Sequence, residues 1–272
     1  MTAEDRHRAR VIQIYDAVAA EYDQVGPAFY AMNGAALVAL VGLGPGDRVL
    51  DAGCGRGACL IPAAEAVGTS GQVVGIDVSP VMVEHAAAEV ARRNLAVTLT
   101  TGDAQVPDFP PESFDVVLSG FVLRLLPDPA AALRAYLQLL RKGGRFGATI
   151  YASTFGAQWL SVESDLARFM PPAPHQDDVL DPAERLAALM SESGFVDVTV
   201  VDEPFDIWLA DPEQWWRYMW ASGYRGMMER IPEQDREAAR VAAIAAVERI
   251  REPDGRLCLP QQVRYATAAR EA

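Results

Sequence analysis

Three aspartates close three successive β-branched runs: Asp51 in "RVLDAG", Asp77 in "QVVGIDV" and Asp103 in "VTLTTGDA". The first is followed at once by Gly53, Gly55 and Gly57, then by an apolar helical pattern from Ala58. Such a turn lets backbone approach a ligand closely, and the helix start behind it favours an anionic ligand group. Read as Gly53-Cys54-Gly55-Arg56-Gly57-Ala58, it satisfies the loose dinucleotide pattern G-x-G-x-x-A, with Asp77 about 24 residues after Gly53 and available for ribose hydroxyls. On glycines alone, a nicotinamide or flavin oxidoreductase fits as well. Asp51 separates the readings. Its carboxylate points into the space a pyrophosphate would fill, and two anions at close range in a partly buried cleft cost several kcal/mol on an order-of-magnitude Coulomb estimate.

A cationic guest reverses the sign. S-adenosylmethionine carries an ammonium and a sulfonium and no phosphate, so an acid beside the turn orients it while Gly53, Cys54 and Gly55 admit its methionine part. Asp77 then accepts both ribose hydroxyls, Asp103 between Gly102 and Ala104 suits the exocyclic amine of adenine, and Val78 and Met82 pack on the ring. Each acid alone could be a helix cap. Three at consecutive strand ends favour a ligand, because open parallel sheets bind ligands at the carboxyl ends of strands where strand order reverses.

The elements that must hold these residues alternate regularly. After an amphipathic helix in "ARVIQIYDAVAAEYDQV" and a second in "FYAMNGAALVALVGL", strands and helices follow one another as far as "RFGATIYA", which implies a parallel sheet of right-handed crossover units. Asp128-Pro129 reads as an N-cap and first helical residue, with Arg141 and Lys142 in the last turn and Gly143 beyond it; the same start recurs at Asp181-Pro182 and Asp211-Pro212. Beyond residue 150 the alternation breaks. A proline-rich stretch, a helix, the strand "FVDVTVVDE", a long helical stretch from Trp215 to about Ile250 and a last strand "QVRYATAA" suggest a cap inserted between the last two strands.

From about 14 to 151 the chain resembles the class I S-adenosylmethionine-dependent methyltransferases, in the group that includes the ubiquinone and menaquinone biosynthesis enzymes and many small-molecule natural-product methyltransferases. The segments that carry the likeness are "YDAVAAEYD", "VLDAGCGRGA", "VVGIDVSPVMVEHA", "TTGDAQVPDFPPESFDVVLSGFVLRLLPDP" and "LLRKGGRF". The resemblance implies an α/β, Rossmann-like, seven-stranded, mostly parallel sheet with a reversed last strand. It divides the chain into an N-terminal helical lid at 1–42 and a core at 43–272, with the cap inserted at about 205–261. It also implies a lid over the cofactor formed by Tyr15 and Tyr22, and places Ser119 and Gly120 beside the sulfonium. Where relatives often carry a histidine pair after strand four, this chain has Arg124 and Leu125, so no general base carries over there. The Asn-Pro-Pro-Tyr type motif of enzymes that methylate amines of nucleic acids or protein amides is missing as well.

Bulk properties agree with a small-molecule enzyme. The 272 residues are 50% hydrophobic, enough for one large domain with an insertion. A formal charge of -13 repels nucleic acid phosphates and anionic membranes, so neither is an expected partner. The charged amino terminus carries no secretory signal, and no apolar stretch approaches the ~20 residues that span a bilayer, so a cytoplasmic location is expected. Three cysteines, Cys54, Cys59 and Cys258, make neither a disulfide framework nor a metal site.

Methyl transfer from a sulfonium is an in-line displacement with a good leaving group. Holding the acceptor near the methyl with water excluded supplies most of the acceleration, and a base matters chiefly for hydroxyl acceptors. His7 and His85 read as surface residues, which leaves His175 as the candidate catalytic base. The cap is rich in aromatic and sulfur side chains; Trp216, Trp220 and Met227 can share a helix face, as a pocket wall or as ordinary core. Tyr22, Trp159, Trp216 and Trp220 are the expected substrate-pocket residues, for an apolar acceptor methylated on oxygen or carbon. The alternatives are non-methylating use of the same cofactor, in decarboxylation or a pericyclic reaction, and a nicotinamide oxidoreductase. A homodimer is compatible with any of them.

Overall fold

The computed structural model describes residues 1–152, 157–171 and 180–272, with backbone alone at 157–159. Seven strands, β1 (Arg48–Ala52), β2 (Gln72–Asp77), β3 (Val97–Thr101), β4 (Phe114–Gly120), β5 (Leu140–Tyr151), β6 (Val196–Leu209) and β7 (Leu257–Ala269), form one sheet in the order β3-β2-β1-β4-β5-β7-β6. The first five are parallel, and β7 runs antiparallel to both of its neighbours. This is the expected fold, with the reversed strand next to the edge. Strand order reverses between β1 and β4, and their carboxyl ends open a cleft there.

The period of two along β1 buries Val49 and Leu50 completely on opposite faces. Val49 joins the cluster under α2 (Phe29–Val41), α3 (Leu60–Val67) and α4 (Pro80–Arg92), while Leu50 joins the one under α5 (Pro129–Leu139) and α7 (Ala183–Glu192). The contact between α2 and the glycine turn is close: a Cβ on Gly34 would come within 2.3 Å of the Ala58 carbonyl oxygen. Helix α1 (Ala3–Val18) starts at a Thr2–Asp5 capping box and packs on α4 and the cap. The cap consists of α6 (Ala157–Ala167), α8 (Pro212–Trp220), α9 (Arg225–Met228) and α10 (Arg236–Arg249), packed around Trp215, Met219, Met228, Ala243 and Val247.

Several local expectations are corrected. Helix α5 stops at Leu139, short of Arg141 and Lys142, because Leu140 is fully buried and pairs with Phe114; Gly143, at φ +69°, lies within β5 rather than after a helix. The N-cap reading holds at Asp128 and Asp211, whose carboxylates accept from the Ala131 and Gln214 amides. It fails at Asp181, whose carboxylate instead takes the buried Arg264 guanidinium at 2.8 Å alongside Asp202. The long helical stretch from Trp215 to about Ile250 consists of three helices, broken around Gly223 and at Pro232, which has no amide hydrogen to donate. The range 205–261 begins and ends in strand, since β6 runs to Leu209 and β7 starts at Leu257. Among the described residues, no helix is long and apolar enough to cross a membrane.

Candidate active site

The glycine turn is built against β2. The Gly53 and Cys54 amides both donate to the Ile76 carbonyl at 2.8 Å, with Gly53 at φ +84°. That geometry swings the Gly55 amide onto Asp77 Oδ2 (2.8 Å), while Ser79 N–H donates to Oδ1 (2.9 Å), so the carboxylate is fixed from two elements. Burial raises the Asp77 pKa in spite of these two bonds. Asp51 behaves differently. It is 1% exposed and neither oxygen makes a well-formed hydrogen bond; burial, followed by the nearby Asp77 charge, pushes its pKa up to about 7, and only the Leu60 amide acts the other way. An orphaned buried carboxylate is costly unless a cation completes it. An ammonium fits that requirement, and a pyrophosphate does not.

A cavity of about 830 Å³ lies over the ends of β1, β2 and β4. Gly53, Gly55, Asp77, Val78, Met82 and Gly120 line it, with Asp103 and Ala104 at the far end and Tyr15 and Tyr22 of the N-terminal segment facing them. Across Gly53, Gly55, Gly120 and Tyr22 it continues into a second cavity, where Asp51 and Cys54 form part of the wall. The remaining two residues lie beneath this surface: Gly102 donates its amide to the Asp77 carbonyl (3.0 Å), and Ser119 is fully buried.

The amino-terminal helix is tied to the site by contacts that the sequence did not announce. Arg8 reaches Asp103 Oδ2 at 2.9 Å, Oδ1 accepts the Gln105 amide, and His7 Nε2 lies 2.7 Å from the Leu125 carbonyl oxygen. His7 and Arg8 thus border the first cavity while His7 stays exposed, as expected of a surface residue, and an adenine amine at Asp103 would share the acid with Arg8. Arg56 of the glycine turn donates to the Ala19 and Ala20 carbonyls just past α1 (2.7 and 2.8 Å), and Ser79 Oγ donates to Asp16 at 2.5 Å. The turn and the helix therefore hold each other.

A third cavity, of about 600 Å³, adjoins the first across Tyr15, Phe121 and Leu125. Its remaining wall is aromatic and apolar, from Tyr30, Ile150, Tyr151 and Tyr224, with Arg124 at the rim of the set. Sequence reasoning missed Tyr30, Phe121 and Tyr151, which come from α2, the segment after β4, and the end of β5. Trp216 and Trp220 are not in these walls. Their rings pack on each other at 6.2 Å, and Trp220 lies under the guanidiniums of Arg225 and Arg236, because the face they share is turned into the cap. The Trp159 side chain and His175 lie outside the described residues.

One expectation tests the ribose assignment. Asp77→Ala removes both charge-assisted acceptors and releases the Gly55 amide, so S-adenosylhomocysteine affinity should fall by about one to two powers of ten in titration calorimetry. Unchanged affinity would take Asp77 out of the site.

A doubly wound sheet of this order, with an orphaned acid at its switch point, defines a Rossmann-like fold of the methyltransferase class. A methyltransferase-domain family model matches residues 49–144. The aklanonic acid methyltransferase DauC of Streptomyces sp. (strain C5) is 43% identical over 144 residues, which are 53% of this chain and 66% of that enzyme. The nocamycin O-methyltransferase of Saccharothrix syringae is 35% identical over 252 residues, covering 85% of this chain and 88% of that one. Among solved structures, YcgJ from Bacillus subtilis shares the fold at a TM-score of 0.61 with 18% identity, over 89% of this chain and 99% of that one. The chain belongs to the S-adenosylmethionine-dependent methyltransferases.

Proposed function

We propose that this enzyme binds S-adenosylmethionine in the first two cavities and transfers its methyl group to an oxygen of an apolar, aromatic, natural-product-like acceptor seated in the third. The observation that carries the reading is the shared wall: Tyr15, Phe121 and Leu125 border both the cofactor cavity and the aromatic one, so a donor and an acceptor would meet there. The cofactor supplies an electrophilic methyl on a sulfonium. Asp51 holds the ammonium, Asp77 the ribose, and Asp103 with Ala104 the adenine, while Val78 and Met82 pack on the ring. Tyr15 and Tyr22 close over the cleft from the N-terminal segment and exclude water, which is the main service a methyl transfer needs. The naming of the nocamycin enzyme as an O-methyltransferase favours oxygen over carbon.

Incubation with methyl-labelled cofactor and a panel of hydroxylated polycyclic aromatics should give labelled product and S-adenosylhomocysteine in equal amounts. Turnover of acceptor without label in the product would establish the non-methylating alternative instead. In a thermal-shift comparison, S-adenosylhomocysteine should raise the melting temperature and NAD should not, since only a ligand of the native state stabilises it.

A further inference from the structure

We propose that the hydroxyls of Tyr30 and Tyr151, backed by Tyr218, form a hydrogen-bond-donating seat for an acceptor oxygen, so that the site selects acidic phenols or enols over saturated alcohols. The proposal rests on the acceptor reading given above. Tyr30 and Tyr151 both line the aromatic cavity, and their hydroxyls are 2.9 Å apart. One spends its hydrogen on the other, so the pair still offers one donor. The buried Tyr218 hydroxyl stands behind this pair, outside the cavity wall, and interacts with the hydroxyls of both Tyr151 and Tyr30.

The three rings arrive from α2, the end of β5 and α8 of the cap, so no helix or strand periodicity accounts for their meeting. Burial raises all three phenol pKa values, and each is raised further by neighbouring phenols, so they stay protonated and donate. Phe121, Leu125 and Ile150 keep the surroundings apolar, where a donated hydrogen bond counts for more than in water. The charged groups facing the cluster are Arg124 from the segment after β4, Asp23 from the segment before α2, and Glu163 from α6. Asp23 is spent on the Tyr30 and Ala31 amides, and Arg124 donates to the Tyr151 carbonyl.

The chemistry follows from donors of this kind. An acidic hydroxyl of the acceptor gives its proton to solvent, and the seat stabilises the oxyanion that remains. That oxygen forms the new O–CH₃ bond while the C–S bond breaks and its electron pair stays on sulfur, leaving a neutral thioether. A protein base is unnecessary for an acceptor already ionised.

The test uses 2-hydroxyanthraquinone, whose visible absorption moves to the red on ionisation, with unsubstituted 9,10-anthraquinone as its partner lacking the hydroxyl. With the full chain saturated by S-adenosylhomocysteine, the hydroxyquinone should bind with its apparent pKa lowered by roughly one unit, a tenfold change in the ionised ratio. Tyr30→Phe/Tyr151→Phe should abolish that spectral shift and weaken the hydroxyquinone more than anthraquinone; Tyr218→Phe alone should reduce it. A shift that persists in the double variant, or is absent from the wild type although both quinones bind, overturns the seat while leaving the acceptor cavity in place. Failure of the wild type to bind either quinone overturns both readings.

Discussion

Affinity for S-adenosylhomocysteine should weaken by up to tenfold for each pH unit below 7 and level off above it. The cause is Asp51, whose carboxyl is pushed up to about 7 by burial and then by the Asp77 charge. In the free enzyme the neutral acid is favoured, so its contribution to fold stability is fully present below the unfolded value of about 4 and is lost as pH rises through 7. The ligand's ammonium reverses the preference, because an ionised Asp51 beside a cation is the favoured state of the complex. Below pH 7 binding must therefore expel a proton, at a cost of about tenfold per unit. Asp77, whose pKa is also raised, acts in the same direction. Calorimetry between pH 5.5 and 8.5, in buffers of different ionisation enthalpy, reads both the slope and the proton released. Asp51→Asn should remove most of the slope and bind about ten- to a hundredfold more weakly at pH 8. A flat profile in the wild type would mean that the acid does not receive the ammonium.

The half of the site proposed for the cofactor was legible because its residues follow strand ends directly. Each acid is fixed by a local break from β-branched run to turn, and parallel topology then brings three local signals to one edge. The aromatic cavity proposed for the acceptor had no such signal. Tyr30 lies within a helix whose sequence marked no functional residue, Phe121 follows the last residue of β4, and Tyr151 ends a strand; only the crossing of α2 over the sheet brings their rings together, with Phe29 stacked on Tyr151 at 5.3 Å. The Trp216 and Trp220 stripe misled for the converse reason. Helical spacing gives a face, and whether the face meets a cleft or another helix is decided by tertiary packing. The contacts of Arg8 and His7 were unreadable because a polar residue on an amphipathic helix looks solvated until something approaches it. The end of α5 shows the same competition in the backbone, where burial of Leu140 in the sheet outweighs a well-formed basic helix terminus.

Gly53→Ala should abolish measurable S-adenosylhomocysteine binding, a loss of at least about a hundredfold, and lower the melting temperature. Two separate costs coincide at this position. The backbone sits at φ +84°, outside the conformations an alanine adopts readily, which costs roughly 1–2 kcal/mol. The added Cβ would also lie 2.3 Å from Val122 Cγ2 and 3.1 Å from Cγ1, so either the turn or Val122 must move. Neither movement is harmless, because Val122 lines the cavity proposed for the cofactor and the Gly53 amide is bonded to the Ile76 carbonyl. Gly55→Ala separates the terms: at φ +51° its Cβ meets nothing within 4 Å, so it should carry the conformational cost alone and weaken binding by roughly tenfold. Adding Val122→Ala to Gly53→Ala removes both methyl contacts, leaving the Val122 Cβ at 3.2 Å and the strain, and should recover binding toward, but not fully to, the Gly55→Ala level. Wild-type affinity in the Gly53→Ala protein would show that the turn does not hold the cofactor in this conformation.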